Sequence, residues 1–205
     1  MFLLKWWEKN KLHFPWRENR TPYRILVAEV ILRRTTAKAA LRVYDKILKS
    51  YPDIEALRAA KERDLATLLS TVGFHKQRSK VLKAMASYIV KEHRGQIPSS
   101  REELLKIPHV GPYTAGAIRS LGYNMRSAMV DSNVRRIVAR LFLFSLCSKP
   151  TYRTVAAIVE TILPKEEYVS FDLALLDLGI TFCRSVRPLC LLCPLSGLCD
   201  FGGNR

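Results

Sequence analysis

Acidic residues are scarce in this chain. Its 205 residues hold 18 Asp+Glu against 34 Lys+Arg, so 34 − 18 gives a formal charge of +16. No stretch approaches the ~18 consecutive uncharged apolar residues of a membrane-spanning helix, and none is expected. Low-complexity tracts and internal repeats are absent, which excludes a solenoid. A disordered basic arm is excluded by the 48% of residues that are hydrophobic. Strand signals are nearly missing; the best candidate, Phe142–Leu146, has helical flanks. The N-terminus, MFLLKWWEKNKLHF, places its apolar run before its charges and has no small-residue cleavage site. A signal peptide is therefore not expected, and a cytoplasmic location is. The length suits one or two domains with a sizeable core. The surplus positive charge points to a polyanion. Ribosomal and ribonucleoprotein components share that balance, so charge names a class of partner and no chemistry.

The charge is spread along periodic segments, with six basic residues and one acid from Lys76 to Arg94 and five and one from Arg119 to Arg140. Such spreading reads as a surface patch on a folded unit. Thr21-Pro22 sets an N-cap before a proline at the first helical position. Apolar periodicity then predicts helices over Tyr23–Arg34, Ala37–Ser50, Asp53–Ala60, Glu62–Val72 (closed by Gly73), Gln77–His93 (closed by Gly95), a short one from Ser100 to before Pro108, Tyr113–Leu121, Asn133–Phe144, Thr151–Leu163 and Glu166–Phe182. The chain reads as all-α.

Three segments carry chemistry. Cys183, Cys190, Cys193 and Cys199 are separated by six, two and five residues. Four thiols so close together, with Pro194 after the third, read as a metal site. A disulfide pair would suit a secreted chain. Zinc and a [4Fe–4S] cluster both accept four thiolates, and ligand type alone does not choose. Cys147 lies apart and reads as a buried or free thiol without a role. The second segment, Ile107-Pro108-His109-Val110-Gly111-Pro112-Tyr113-Thr114-Ala115, joins two short helices by a tight turn. Its backbone N–H groups suit a phosphate, and Gly111 permits close approach of another backbone. By itself such a hairpin is usually a connection only. In the third, Val130-Asp131-Ser132-Asn133, Asp131 reads as the N-cap of the next helix; it also holds a carboxylate where a developing cation on a sugar would need one.

Together these segments resemble the helix-hairpin-helix DNA glycosylases that carry an iron–sulfur cluster. Their hairpin reads L-P-G-V-G-x-x-T-A, their catalytic Asp lies in V-D-x-N, and their cluster spacing is C-x6-C-x2-C-x5-C. The likeness runs from Phe14-Pro15-Trp16-Arg17 to Cys199. It implies a [4Fe–4S] cluster on the four cysteines, and two helical domains. These are a six-helix barrel over 21–128, with the hairpin at about 104–121, and a cluster domain built from 1–20 and 129–205. Duplex DNA with a mismatched or deaminated base is the implied partner, with a monomeric enzyme, no membrane, and a nucleoid association through DNA.

One departure concerns His109, which stands where the family has glycine. A positive φ there would strain His by roughly 1 kcal/mol; alternatively His donates its own bond to a phosphate. Tyr113 stands where endonuclease III-like members resemble a Lys that attacks the sugar, so the chain looks monofunctional. Adenine–mismatch glycosylases share the Pro-Trp-Arg entry and Ala28-Glu29-Val30, but typically show Gln-Gln at Arg33-Arg34. They also carry a C-terminal domain that this chain, ending six residues after Cys199, is not expected to have. Thymine-mismatch glycosylases match better, through Ile31-Leu32-Arg33-Arg34-Thr35-Thr36-Ala37.

The resemblance thus implies removal of thymine or uracil opposite guanine, with the adenine enzyme as runner-up and a non-enzymatic DNA-binding module as third. Asp131 is the expected stabiliser of the sugar cation. Tyr113 lines the base pocket. Glu29, in an apolar helix where burial would raise its pKa, is a candidate for proton transfer, or else pairs with Arg33 on the surface. Arg33 or Arg34 fills the gap or reads the orphaned guanine, or else both lie on a solvated face. Gly73, Phe74, His75, Lys76, Arg78 and Lys80, and the hairpin residues His109, Val110, Gly111 and Thr114, are expected at the DNA.

Overall fold

The computed structural model describes residues 2–142 and 150–203. Its helices are α1 (Phe2–Asn10), α2 (Pro15–Glu18), α3 (Pro22–Leu32), α4 (Ala37–Ser50), α5 (Ile54–Ala59), α6 (Glu62–Leu68), α7 (His75–His93), α8 (Arg101–Lys106), α9 (Pro112–Ala117), α10 (Ser132–Phe142), α11 (Tyr152–Ile162), α12 (Tyr168–Thr181) and α13 (Asp200–Gly203). No strand occurs among the described residues. Most of the former strand candidate, 143–146, and Cys147 lie outside them. None of the helices is long and apolar enough to cross a membrane.

The chain divides into two compact units. The first, His13–Asn124, is built around α3, whose Ile25–Ile31 are all buried. A helix apolar on every side belongs at the centre of its unit. Amphipathic α4 turns Ala40, Val43, Tyr44, Ile47 and Leu48 inward at helical spacing, while α5 and α6 pack on the long α7. Side-chain caps start four helices: Thr21 and Thr36 each accept an N–H at 3.2 Å, Asp53 at 2.8 Å and Ser100 at 3.2 Å. Each such cap is worth about 1 kcal/mol. Beyond α9 the chain runs on as one π-turn, Ile118–Gly122. There a Cβ on Gly122 would stand 2.9 Å from the Pro22 Cα, so only glycine fits against the start of α3. Trp16 is buried, stacked 4.9 Å from Phe14 and edge-on 5.4 Å from Tyr44. That packing places residues 13–20 with this unit, where the resemblance had grouped 1–20 with the other.

Gly73 was expected to cap a helix running from Glu62 to Val72. Instead α6 ends at Leu68, and Phe74 beside the glycine takes the positive φ, 58°. As a result α7 begins at His75, two residues earlier than its periodicity indicates.

The second unit joins 1–12 to 125–205. At its centre is α12, again apolar on all sides, with two fully buried carboxylates. Asp177 accepts from Trp7 Nε1 at 2.9 Å and from the Leu12 amide at 3.1 Å, fastening α1 to α12. Asp172 accepts from the Met129 amide at 3.2 Å. Arg126 closes the C-terminal end of α11 by donating to the carbonyls of Glu160 (2.6 Å), Leu163 (2.5 Å) and Pro164 (3.2 Å), where the helix dipole favours a cation. Helices α10 and α12 meet so closely at Gly179 that a Cβ there would lie 2.6 Å from the Asn133 Cβ. Gly179→Ala is therefore expected to destabilise the protein by about 1–3 kcal/mol, measurable by denaturant unfolding; an unchanged midpoint would mean that the helices part at no cost.

Candidate active site and nucleic-acid interface

In the first unit three turns carry most of the residues expected at DNA, and each holds one non-glycine residue in the left-handed region. These are Arg34 (φ 52°) after α3, Phe74 (φ 58°) before α7 and His109 (φ 63°) before α9. Each such residue costs about 1–2 kcal/mol and persists only where its surroundings impose it. The strain anticipated for His109 is thus present. Arg34 and Phe74 are exposed and face one another, the guanidinium carbon 5.1 Å from the ring centroid. Gly73, Lys76 and Lys80 are exposed beside them, and His75 is half-buried. The Phe74 ring, 59% exposed among basic residues, is open to a ligand.

The hairpin begins α9 without a side-chain cap, and Pro112, at the start of its first turn, has no N–H. A Cβ added at Gly111 would meet nothing within 4 Å. No neighbour inside the chain requires glycine there; an approaching backbone would.

Two expected DNA contacts in this unit are internal instead. Arg78 is buried, and its fork is spent on three carbonyls: Nε donates to Gly73 at 2.7 Å, Nη1 to Val30 at 2.5 Å and Nη2 to Arg33. At 5% exposed, it presents almost no surface to a phosphate. Val110 is buried and its amide donates to the Ile107 carbonyl at 3.1 Å, which closes the hairpin turn. The Thr114 hydroxyl is buried too, and it accepts from Arg33 Nη2 at 3.4 Å, so only its amide can face a ligand. Arg33 also donates to the His109 carbonyl at 2.6 Å. Half-buried, with its pKa lowered by burial against the opposing influence of Glu29, it is no solvated surface residue. Arg34 is the more exposed of the pair.

Glu29 and Tyr113 are brought together. Glu29 is buried on α3, and the half-buried Tyr113 hydroxyl donates to its Oε1 at 3.4 Å. That burial takes Glu29 off the surface, while its charge still acts on Arg33, four residues on. The arrangement offers a carboxylate linked to a phenol, a route for moving a proton, and no amine at Tyr113.

In the second unit Asp131 caps α10. Its Oδ1 accepts from the Val134 amide and its Oδ2 from Asn133 Nδ2, both at 2.8 Å. Asn133 is itself held by Arg136, whose Nη2 donates to Asn133 Oδ1 at 2.8 Å while Nε reaches the Cys183 carbonyl at 2.7 Å. Asp131 thus rests on a chain of bonds that ends at the first cysteine. The sequence reading missed Asn133 and Arg136 as participants; their spacing of three on one helix face was the available signal.

Cys183, Cys190, Cys193 and Cys199 are free thiols lining one pocket with Arg140, Phe182, Pro188 and Phe201, around about 300 Å³ of atom-free space partly open to solvent. Burial pushes the Cys193 thiol above its ordinary pKa, and the other three cysteines add to that. Arg140 Nη1 lies 3.4 Å from the Cys183 sulfur, and its carbonyl accepts from Cys199 at 3.4 Å. The thiols surround the pocket without closing on a point: among the described residues, no three His, Cys, Asp or Glu side chains have the spacing of a metal-ion site.

Comparison with known proteins agrees with this arrangement. Residues 27–165 match the HhH-GPD superfamily base excision DNA repair proteins. The chain is 32% identical to a thymine/uracil-DNA glycosylase of Methanothermobacter thermautotrophicus, over 97% of this chain and 90% of that one. It is also 32% identical to an adenine DNA glycosylase of Buchnera aphidicola, but spans only 57% of that protein. The structure of a thermostable thymine-DNA glycosylase superposes with a TM-score of 0.94 at 31% identity, covering 100% of this chain and 94% of the other. With more than half of its length inside the family match, the chain belongs to the HhH-GPD superfamily of base excision DNA repair proteins.

Proposed function

We propose that this DNA glycosylase hydrolytically removes thymine or uracil mispaired with guanine in duplex DNA, without cleaving the strand. The observation that carries the monofunctional reading is the phenol at position 113, bonded to buried Glu29 at 3.4 Å. A phenol cannot form the Schiff base on which strand cleavage depends. The choice of base is supported by the full-length likeness to thymine and uracil glycosylases.

In the proposed reaction the target base leaves the stack, which is cheapest for a mispair. Arg34 and Phe74 enter the gap, the ring as an apolar wedge and the guanidinium toward the guanine edge. The hairpin amides and Lys76 hold phosphates. The C1′–N1 bond then breaks with its electron pair on the base. Water adds to C1′, and the proton it sheds is balanced by one delivered to the base, with Glu29 and Tyr113 as the relay. Asp131 stabilises the cationic sugar and positions the water. Its carboxylate is held in place by two donors, and little reorganisation is needed as charge develops.

The four cysteines fit a [4Fe–4S] cluster. All are unpaired thiols facing one pocket, and thiols spread around a space suit a bulkier group than a lone ion, which would need each sulfur at ~2.3 Å. The cluster would supply a structural cross-link between Cys183 and Cys199.

Borohydride trapping tests the monofunctional reading. Wild-type protein is expected to release base from a G·T duplex and leave an alkali-labile site, with no covalent adduct. A trapped complex formed as fast as base is released would overturn it. The adenine reading, favoured by the Buchnera likeness, predicts adenine release from A·G instead.

A further inference from the structure

A buried basic residue is expensive to place in a basic surface, and Arg78 is one: it is 5% exposed and donates to three carbonyls. These carbonyls belong to α3 (Val30), to the turn after it (Arg33) and to the turn before α7 (Gly73). The last two are the immediate neighbours of Arg34 and Phe74, the strained and exposed pair. Arg33 continues the linkage, its Nη2 donating to the carbonyl of His109, the third strained residue, at 2.6 Å. Two arginine side chains thus join three turns, with bonds to the turn carbonyls that bridge 45 and 76 residues of chain.

We infer that Arg78 and Arg33 form an internal clasp that sets the register of the three DNA-facing turns, so that Arg34 and Phe74 enter a mispair as one preformed unit while the hairpin holds the backbone. The inference rests on the proposed DNA contacts of those turns. Both arginines act as positioning residues: neither carries out the chemistry, and Arg78 cannot touch DNA. A fork with fixed donor directions is required for three divergent carbonyls, and an ammonium on a flexible stem cannot replace it. The geometry also explains why strained residues are tolerated in a region that loops would otherwise relax.

The test compares Arg78→Lys with wild type on whichever mispair the wild-type chain processes best, so that an error in the assigned base leaves the clasp still testable. Four quantities are read: single-turnover base release, affinity for a matched duplex, melting temperature, and the fluorescence of a 2-aminopurine placed beside the mispair, which rises when the neighbouring base is extruded. Arg78→Lys is expected to slow release about 10-fold or more and to abolish most of the fluorescence rise, with matched-duplex affinity within about 2-fold of wild type. In a Phe74→Ala background the same substitution should add less than about 2-fold, because both act through one unit. A full fluorescence rise, or single effects that multiply in the double variant, would overturn the clasp. Should Arg78→Lys fail to fold, Arg33→Gln, which leaves the three bonds of Arg78 in place, is expected to give the same selective loss of extrusion, and extrusion at wild-type amplitude in that variant would overturn it equally.

Discussion

Asp131→Asn is expected to lower single-turnover base release by at least roughly 10²–10³-fold, the range found when a preorganised electrostatic group is removed from a reacting centre, while leaving the fold intact. Asparagine caps helices as well as aspartate does, so its carbonyl can still accept from the Val134 amide that now bonds Oδ1 at 2.8 Å. What is lost is the negative charge beside the sugar and one acceptor for Asn133 Nδ2. The second loss falls on a half-buried group that water can reach, so it costs about 1 kcal/mol and about 2–4 °C in melting temperature. The two measurements together separate the roles. A folded, DNA-binding, inactive variant supports catalysis by the carboxylate. A variant that releases base at the wild-type rate would reduce Asp131 to a helix cap.

Removing the proposed cluster, or replacing Cys199 with Ala, is expected to release residues 183–203 and lower the melting temperature by more than about 10 °C, since the binding free energy of a structural metal is folding free energy. The reason lies in what this segment lacks. Of its described residues only Leu195 is buried, while Val186, Leu191, Leu192 and Leu198 are more than half exposed. A stretch with almost no core needs a covalent or metal staple. Trypsin should then cut after Arg184, which is already at the surface and is followed by Ser185. Activity should fall with the segment, because Arg136 loses the Cys183 carbonyl that steadies Asn133 and through it Asp131. Cysteine variants that melt, resist trypsin and release base as wild type does would contradict both the staple and the linkage.

The features that could be read from the sequence are those whose cause is local. Thr21-Pro22, Ser100 and the hairpin turn announce themselves within a few residues, and the cysteine spacing needs no fold to be recognised. Arg78 is the opposite case. In a helix with five other basic residues close by it reads as one more solvated charge, and only Val30, 48 residues away, shows that it is buried. The bond from Arg33 was hidden for the same reason, its partner His109 being 76 residues distant. The left-handed Arg34 and Phe74 give no compositional sign, since neither residue type favours that conformation. His109 could be anticipated only because glycine occupies its place in the resembling family. Glu29 was legible as an acid in an apolar helix, but its bond to Tyr113, 84 residues on, required the fold.

The central claim is that this chain, with a phenol at position 113, hydrolyses the glycosidic bond of a pyrimidine mispaired with guanine. It is tested most directly by end-labelling each strand in turn of G·T, G·U, A·G and A·8-oxoguanine duplexes and treating them with alkali after reaction. The account predicts breaks at the thymine and uracil only, appearing only after alkali. Breaks at adenine, or breaks before alkali, would contradict it.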